Sequence, residues 1–233
     1  MSYHIYCLNY GDKRTAAITA SFAAVGLSNK VTLCPGVPAE IVKAANNYIE
    51  EVLPYYYLVT SITLGHISMM KTFLETSNEE FGIFCENDIR MHKNIKSKIP
   101  HYLEKMKELD LEILRLGYFV RNQEHFKKLT SVIPQIYDVT DTITPGAQMY
   151  VLTREKCKNY IETFTIEYFL QLFNASNRYL YYPDSTVTVS GKMAVVYPLL
   201  ALEYIPDDWV SEHGDDTEFQ RDACKFNLTD DYL

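Results

Sequence analysis

The chain has 233 residues, 47% hydrophobic and 22% charged, with only 9 Gly and 9 Pro. That length suits one globular domain or one domain with a small appendage, and the composition excludes a disordered polymer, a collagen-like repeat and a low-complexity chain. The net charge of −8 is concentrated, because residues 203–233 hold ten acidic side chains against Arg221 and Lys225 while residues 1–202 balance at 20 of each sign.

A chain without a long basic run lacks the footprint that a nucleic-acid backbone needs, so no nucleic-acid partner is expected. The acidic segment reads as a solvated extension, residues 203–233, of a domain spanning 1–202. No apolar run approaches the roughly 18 residues of a membrane span, so no transmembrane segment is expected. Met1-Ser2-Tyr3-His4 leads straight into a β pattern, without a basic leader. Cys7, Cys34, Cys85, Cys157 and Cys224 form no C-x-x-C pair, and three of them lie in apolar runs where a thiol behaves as a small hydrophobe. A reduced, cytoplasmic protein is the expectation.

Tyr3 to Leu8 reads as a strand closed by the turn residues Asn9 to Asp12. Lys13 to Val25 changes to helical period, with Ile18, Phe22 and Val25 on one face and Gly26 at the C-cap position. Val31 to Cys34 is a second strand, and Pro38 opens a helix whose apolar positions are Ile41, Ala45, Tyr48, Ile49 and Val52. This alternation is α/β logic with a mostly parallel sheet. Ile62 to Leu74 reads as helix. Phe81 to Cys85 is the clearest buried strand, apolar throughout as a strand covered on both faces should be.

Further on, Ile95 to Met106 is an amphipathic helix that Pro100 should bend or divide. Ile113 to Gly117 is a strand and turn, Val132 to Tyr137 one short strand, and Met149 to Leu152 another strand, with Thr153 capping a helix on Cys157, Tyr160, Ile161 and Phe164. Ile166 to Phe173 is a short helix, and Val187 to Tyr197 is extended or mixed.

The residues that point to chemistry follow the buried strand. Glu86-Asn87-Asp88 stands at its carboxyl end, where open α/β sheets bind ligands. In extended chain Glu86 and Asp88 point the same way and present two carboxylates to one hard divalent ion, with Asn87 turned aside or adding an amide oxygen. A solvated loop or helix cap is the plainer alternative. No G-x-G-x-x-G, Walker, H-E-x-x-H or G-x-S-x-G pattern occurs. The 19 tyrosines suit sugar or base stacking as well as packing, and the sequence does not choose among them.

A series of short motifs carries a family resemblance. Ile5 to Tyr10 is followed by Lys13-Arg14, then by Gly26-Leu27 and Val31 to Gly36. Ser61 to His66 comes next, then Phe81 to Ile89 with Glu86-Asn87-Asp88, Leu116-Gly117, and Gly146 to Leu152. In this order, over about residues 3 to 200, the chain resembles glycosyltransferase family 25, the group of lipopolysaccharide-biosynthesis transferases and collagen galactosyltransferases.

The resemblance implies a GT-A-like nucleotide-sugar fold, with a mostly parallel central sheet and helices on both faces. It implies a nucleotide-sugar donor, often UDP-linked, and Mn²⁺ or Mg²⁺ held by Asp88 and Glu86. Asn9, Tyr10 and Arg14 would lie near the nucleotide, His66 near the donor, and Asn87 near the ribose or the metal ligands. The chemistry would be transfer to a glycan or other hydroxyl acceptor with inversion, aided by a general base at Glu167, Asp141 or Asp138, of which Glu167 is preferred. The family pattern reads Glu-Asp-Asp where this chain has Glu86-Asn87-Asp88, so one carboxylate is lost. A non-catalytic nucleotide- or carbohydrate-binding member is the alternative.

Overall fold

The computed structural model of the chain describes residues 2–46, 54–120, 130–139, 145–173, 182–187, 191–204 and 216–233. It opens as the pattern requires, with β1 (Ile5–Asn9), α1 (Asp12–Ala24) and β2 (Val31–Pro35), and the two strands are parallel from Ile5↔Val31 to Asn9↔Pro35. Gly26 turns the chain after α1 at φ +70°, a left-handed conformation that glycine adopts without steric cost. In α2 (Ala39–Ala45) the inward residue is Val42, while the expected Ile41 is 53% exposed. A helix of two turns is too short for the period read over fourteen residues to set its face; Tyr48, Ile49 and Val52 lie outside the described residues.

The third helix, α3 (Pro54–Thr76), is longer than expected and takes in Tyr55, Tyr56 and Tyr57. It leads to β3 (Phe81–Cys85), buried at all five positions, and to the short β4 (Ile89–Met91). α4 (Ile95–Glu108) runs through Pro100 without division. Proline leaves the carbonyl four residues earlier without its amide partner, and that carbonyl, on Lys96, accepts the Tyr3 hydroxyl at 3.4 Å.

After β5 (Ile113–Gly117) comes a hairpin in place of the single expected strand: β6 (Thr130–Ile133) and β7 (Ile136–Asp138) reverse at Gln135, which has φ +71°. β8 (Met149–Thr153) leads into α5 (Arg154–Thr163), whose Lys156 amide is capped by the Thr153 hydroxyl at 3.2 Å. The remaining elements are α6 (Ile166–Phe173), α7 (Pro183–Thr186), β9 (Met193–Val196), β10 (Ala201–Glu203) and α8 (Asp216–Asn227).

The main sheet has the order β2-β1-β3-β8-β5-β9-β7-β6. Of its eight described strands only β8 and β7 run against the common direction, as the pairings require. This is an α/β fold on a mostly parallel central sheet, as expected. Side chains alternate across it. Ile5, Cys7, Ile83 and Cys85 pack with α1 and α4 on one face, while Tyr6, Leu8, Phe84 and Tyr150 pack with α3, α5 and α6 on the other. Helices therefore cover both faces.

The acidic segment departs from the solvated extension that its composition suggests. β10 pairs antiparallel with β4, Glu203 opposite Ile89. The C-terminal Leu233 and Met91 exchange backbone hydrogen bonds at 3.0 and 3.3 Å, and Tyr232 donates its hydroxyl to Leu199 at 2.8 Å. Asn227 reaches the carbonyl of Val120 at 2.8 Å. Among the described residues of this segment, apolar and backbone groups bind the body while Asp222 and Asp230 are exposed, a division that net charge does not reveal.

Gly117 lets β10 approach β5, since a Cβ there would stand 2.7 Å from the carbonyl oxygen of Ala201. Gly117→Ala is therefore expected to cost about 1–3 kcal/mol through backbone displacement. The check is a lowered thermal midpoint by circular dichroism relative to the parent chain.

Candidate functional site

The order of the sheet reverses between β1 and β3, since the strand following β1 in the chain lies on its other side. The carboxyl ends of the strands flanking such a reversal open a crevice. Asn9 and Tyr10 leave β1 there, and Glu86, Asn87 and Asp88 leave β3. The extended alternation does not continue past Glu86, so the two carboxylates are drawn to separate partners and not to one shared point as expected.

Glu86 turns toward α3, where His66 is fully buried. The imidazole Nε2 lies 3.2 Å from the Glu86 Oε1, and Nδ1 lies 2.8 Å from the Tyr150 hydroxyl on β8. A carboxylate only accepts hydrogen bonds, so Nε2 donates to Glu86, and Nδ1 shares a hydrogen bond with the Tyr150 hydroxyl. The chain Tyr150–His66–Glu86 thus runs from the protein interior to a carboxylate at the crevice.

Asp88 turns toward α1, and Arg14 Nη1 donates to its Oδ2 at 2.9 Å. Its other oxygen, Oδ1, is buried with no hydrogen-bond partner among the described residues. Burial, then the nearby Glu86 charge, pushes the Asp88 carboxyl up to about 6, against the opposing pull of Arg14. Glu203 is the third carboxyl of the group. Burial, followed by the charges of Asp88 and Glu86, raises it well above the usual range, and the Gln148 amide donates to it at 3.4 Å.

Asn87 has a different task. Its amide nitrogen donates to Asn9 Oδ1 at 3.0 Å and to the Tyr10 carbonyl at 3.1 Å, and Thr15 donates to the same Asn9 oxygen at 2.8 Å. A carboxylate at position 87 would have no hydrogen to give the Tyr10 carbonyl, so asparagine here ties the ends of β1 and β3 together. Tyr10 is half-buried, its hydroxyl donated to Ser61 at 3.2 Å.

The three expected bases fare differently. Asp138 ends β7, four strands from β3, and pairs across with Ala194, level with Leu114, Val151 and Ile83. Four inter-strand steps put it roughly 19 Å from β3, so it does not share the crevice with Glu86 and Asp88. Glu167 is exposed at the start of α6, its carboxyl held below the usual range by its own backbone amide and the Thr165 hydroxyl. That is a helix-capping arrangement. Asp141 lies outside the described residues.

A divalent ion at this site finds a partial fit. Among the described residues no three His, Cys, Asp or Glu side chains stand close enough to hold a metal ion by themselves. The buried, unbonded Oδ1 of Asp88 is nonetheless an oxygen lacking a partner, beside two further carboxyls that raise its proton affinity or share its field. Mg²⁺ and Mn²⁺ sites commonly use one or two carboxylates, completed by water and substrate phosphates. The residues fit that kind of site and not a closed protein cage.

The sequence reading missed Glu203, Gln148 and Tyr150. A signal for Glu203 was present: Leu199 to Leu202 is an apolar run ending in a carboxylate, the same pattern as Phe81 to Cys85 before Glu86.

No protein-family model matches the chain, and no curated protein is significantly similar to it. Solved structures with similar backbones include A197 from STIV, at 10% identity, TM-score 0.47, covering 88% of this chain and 87% of that one. Residues 1–349 of TarS from S. aureus align at 14% identity and TM-score 0.46, covering 88% of this chain and 60% of that one. The galactosyltransferase LgtC, solved with donor and acceptor sugar analogs, aligns at 9% identity and TM-score 0.39 over 97% of both chains. No helix among the described residues is long and apolar enough to cross a membrane.

Proposed function

We propose that the chain is a GT-A-like glycosyltransferase of the family 25 type, transferring a sugar from a UDP-linked donor to a hydroxyl acceptor with inversion. The observation that carries this reading is the set of groups at the sheet-reversal crevice: the Asp88 oxygen without a partner, the Arg14 guanidinium on its other oxygen, and Glu86 and Glu203 within electrostatic reach of it. The order of family-like motifs in the sequence supports it independently, since four of them (Asn9, Arg14, His66 and Glu86 to Asp88) meet at that crevice.

In this reading Asp88 would hold Mn²⁺ or Mg²⁺, with the Glu86 carboxylate adding negative field and the buried Glu203 carboxyl beside them. The ion would neutralise the diphosphate as it leaves. Arg14 serves the diphosphate and gives bidentate hydrogen bonds that a planar guanidinium supplies well. His66 and Tyr150 fix the Glu86 carboxylate at the rim, where its second oxygen is available to donor hydroxyls. Asn87 keeps the β1 and β3 ends at the spacing the crevice requires. Glu167, the base preferred on sequence, caps α6, and Asp138 lies four strands from β3, so Asp141 becomes the first of the three to test as the base.

Isothermal titration of UDP and GDP, with and without Mn²⁺, tests the proposal. The expected result is Mn²⁺-dependent UDP binding, followed by measurable transfer from a UDP-sugar. UDP binding without hydrolysis or transfer from any UDP-sugar would favour the non-catalytic binding alternative. Absence of any nucleotide binding would overturn both.

A further inference from the structure

We propose that Arg14 and the divalent cation compete for Asp88, so that the cation is held more tightly once the guanidinium has passed to the donor diphosphate. The inference rests on the reading above and states how its two ligands depend on each other. Arg14 Nη1 lies 2.9 Å from Asp88 Oδ2, and its positive charge also acts on Glu203. The guanidinium therefore stands against the same carboxyls that a cation would use. Two positive charges at that spacing repel, so the ion pair weakens the hold of this carboxylate on a cation.

The side chain is built to leave. Arg14 is 52% exposed, while Asp88 is only 23% exposed, and an exposed ion pair is weak enough to open readily. Arg14 also lies in the first turn of the 13-residue α1, where the helix dipole favours an anion. A diphosphate arriving there offers Arg14 two strong acceptors at once. Its departure uncovers Asp88 Oδ2 beside the already unbonded Oδ1, giving the cation two oxygens in place of one. Nucleotide and cation then strengthen each other's binding, and by linkage the effect is the same in either order.

The test follows free Mn²⁺ by its electron paramagnetic resonance signal, with and without UDP, in the parent chain, Arg14→Gln and Arg14→Lys. Without UDP, Arg14→Gln is expected to bind Mn²⁺ about 5- to 50-fold more tightly than the parent, a range typical of coupling between sites. Arg14→Lys, which keeps the charge, is expected to bind Mn²⁺ as weakly as the parent. UDP should tighten Mn²⁺ binding more than about fivefold in the parent and less than about twofold in Arg14→Gln. If UDP strengthens Mn²⁺ binding in the parent but Arg14→Gln binds Mn²⁺ no more tightly, the competition is overturned and the glycosyltransferase reading stands. If the parent holds no Mn²⁺ with or without UDP, both fall.

Discussion

Asp88→Asn is expected to make the protein more stable at pH 8 while abolishing Mn²⁺-dependent UDP binding. The two effects have one cause. The Asp88 carboxyl is pushed up to about 6 by burial and by Glu86, despite the Arg14 guanidinium beside it. Its charged form is thus unfavourable in the folded chain relative to the unfolded one. A carboxyl whose folded value is raised stabilises the fold only while it keeps its proton. That contribution is full below about pH 4 and is lost as the pH rises through about 6. Asparagine has no charge to suppress, so it should match the parent near pH 4 and exceed it at pH 8. The gain is on the order of 1 kcal/mol, discounted because part of the side chain reaches solvent. Thermal melts of both proteins at pH 4 and pH 8 measure it. A variant less stable than the parent at pH 8 would show the Arg14 ion pair outweighing the burial, and would remove the case for a site that stores an unfavourable charge. Residues kept at a cost to stability are the usual mark of function.

The parts of the fold that sequence conveyed well were those with unambiguous period. Phe81 to Cys85, apolar throughout, is the buried strand it resembles, and Ile95, Ile99, Leu103 and Met106 all face the core from α4. Pro100 misled because proline's missing bond is a local rule, and a distant side chain, Tyr3, occupies the freed carbonyl. The Val132 to Tyr137 run concealed a hairpin because its turn carries Pro134-Gln135, without the glycine or asparagine that usually marks positive φ. In the site, Glu86 and Asp88 were legible as a pair behind a buried strand, but their partners were not. His66, Tyr150 and Glu203 come from elements 20, 64 and 117 positions from Glu86, and only the sheet order brings them together. Charge counting hid Glu203 in particular, since it is the first acid of a segment whose other carboxylates made the whole stretch look solvated.

His66→Ala is expected to have the larger structural effect, because it breaks a buried chain in the middle. The imidazole is fully buried and is held at both nitrogens, at 2.8 Å by Tyr150 and at 3.2 Å from Glu86. Alanine leaves a cavity, an unpaired Tyr150 hydroxyl in the core and a Glu86 carboxylate without its anchor. Together these are worth about 3 kcal/mol, or roughly 6–12 °C in the thermal midpoint of a chain this size. Tyr150→Phe removes only the inner bond and leaves Nδ1 without a partner, so about 1–2 kcal/mol is expected. The double variant should cost less than the sum, because once the imidazole is gone the Tyr150 hydroxyl is already unpaired and its removal brings relief. Additive losses in that cycle would mean that the Tyr150–His66 bond is not formed in solution. Binding separates structure from site: His66→Ala is expected to weaken UDP binding in Mn²⁺ by more than about tenfold, equivalent to about 1.4 kcal/mol of lost positioning at Glu86. Tyr150→Phe, which leaves the His66–Glu86 contact in place, should weaken it less. Equal losses of affinity in the two variants would place the binding effect in general loosening of the core and not in the orientation of Glu86.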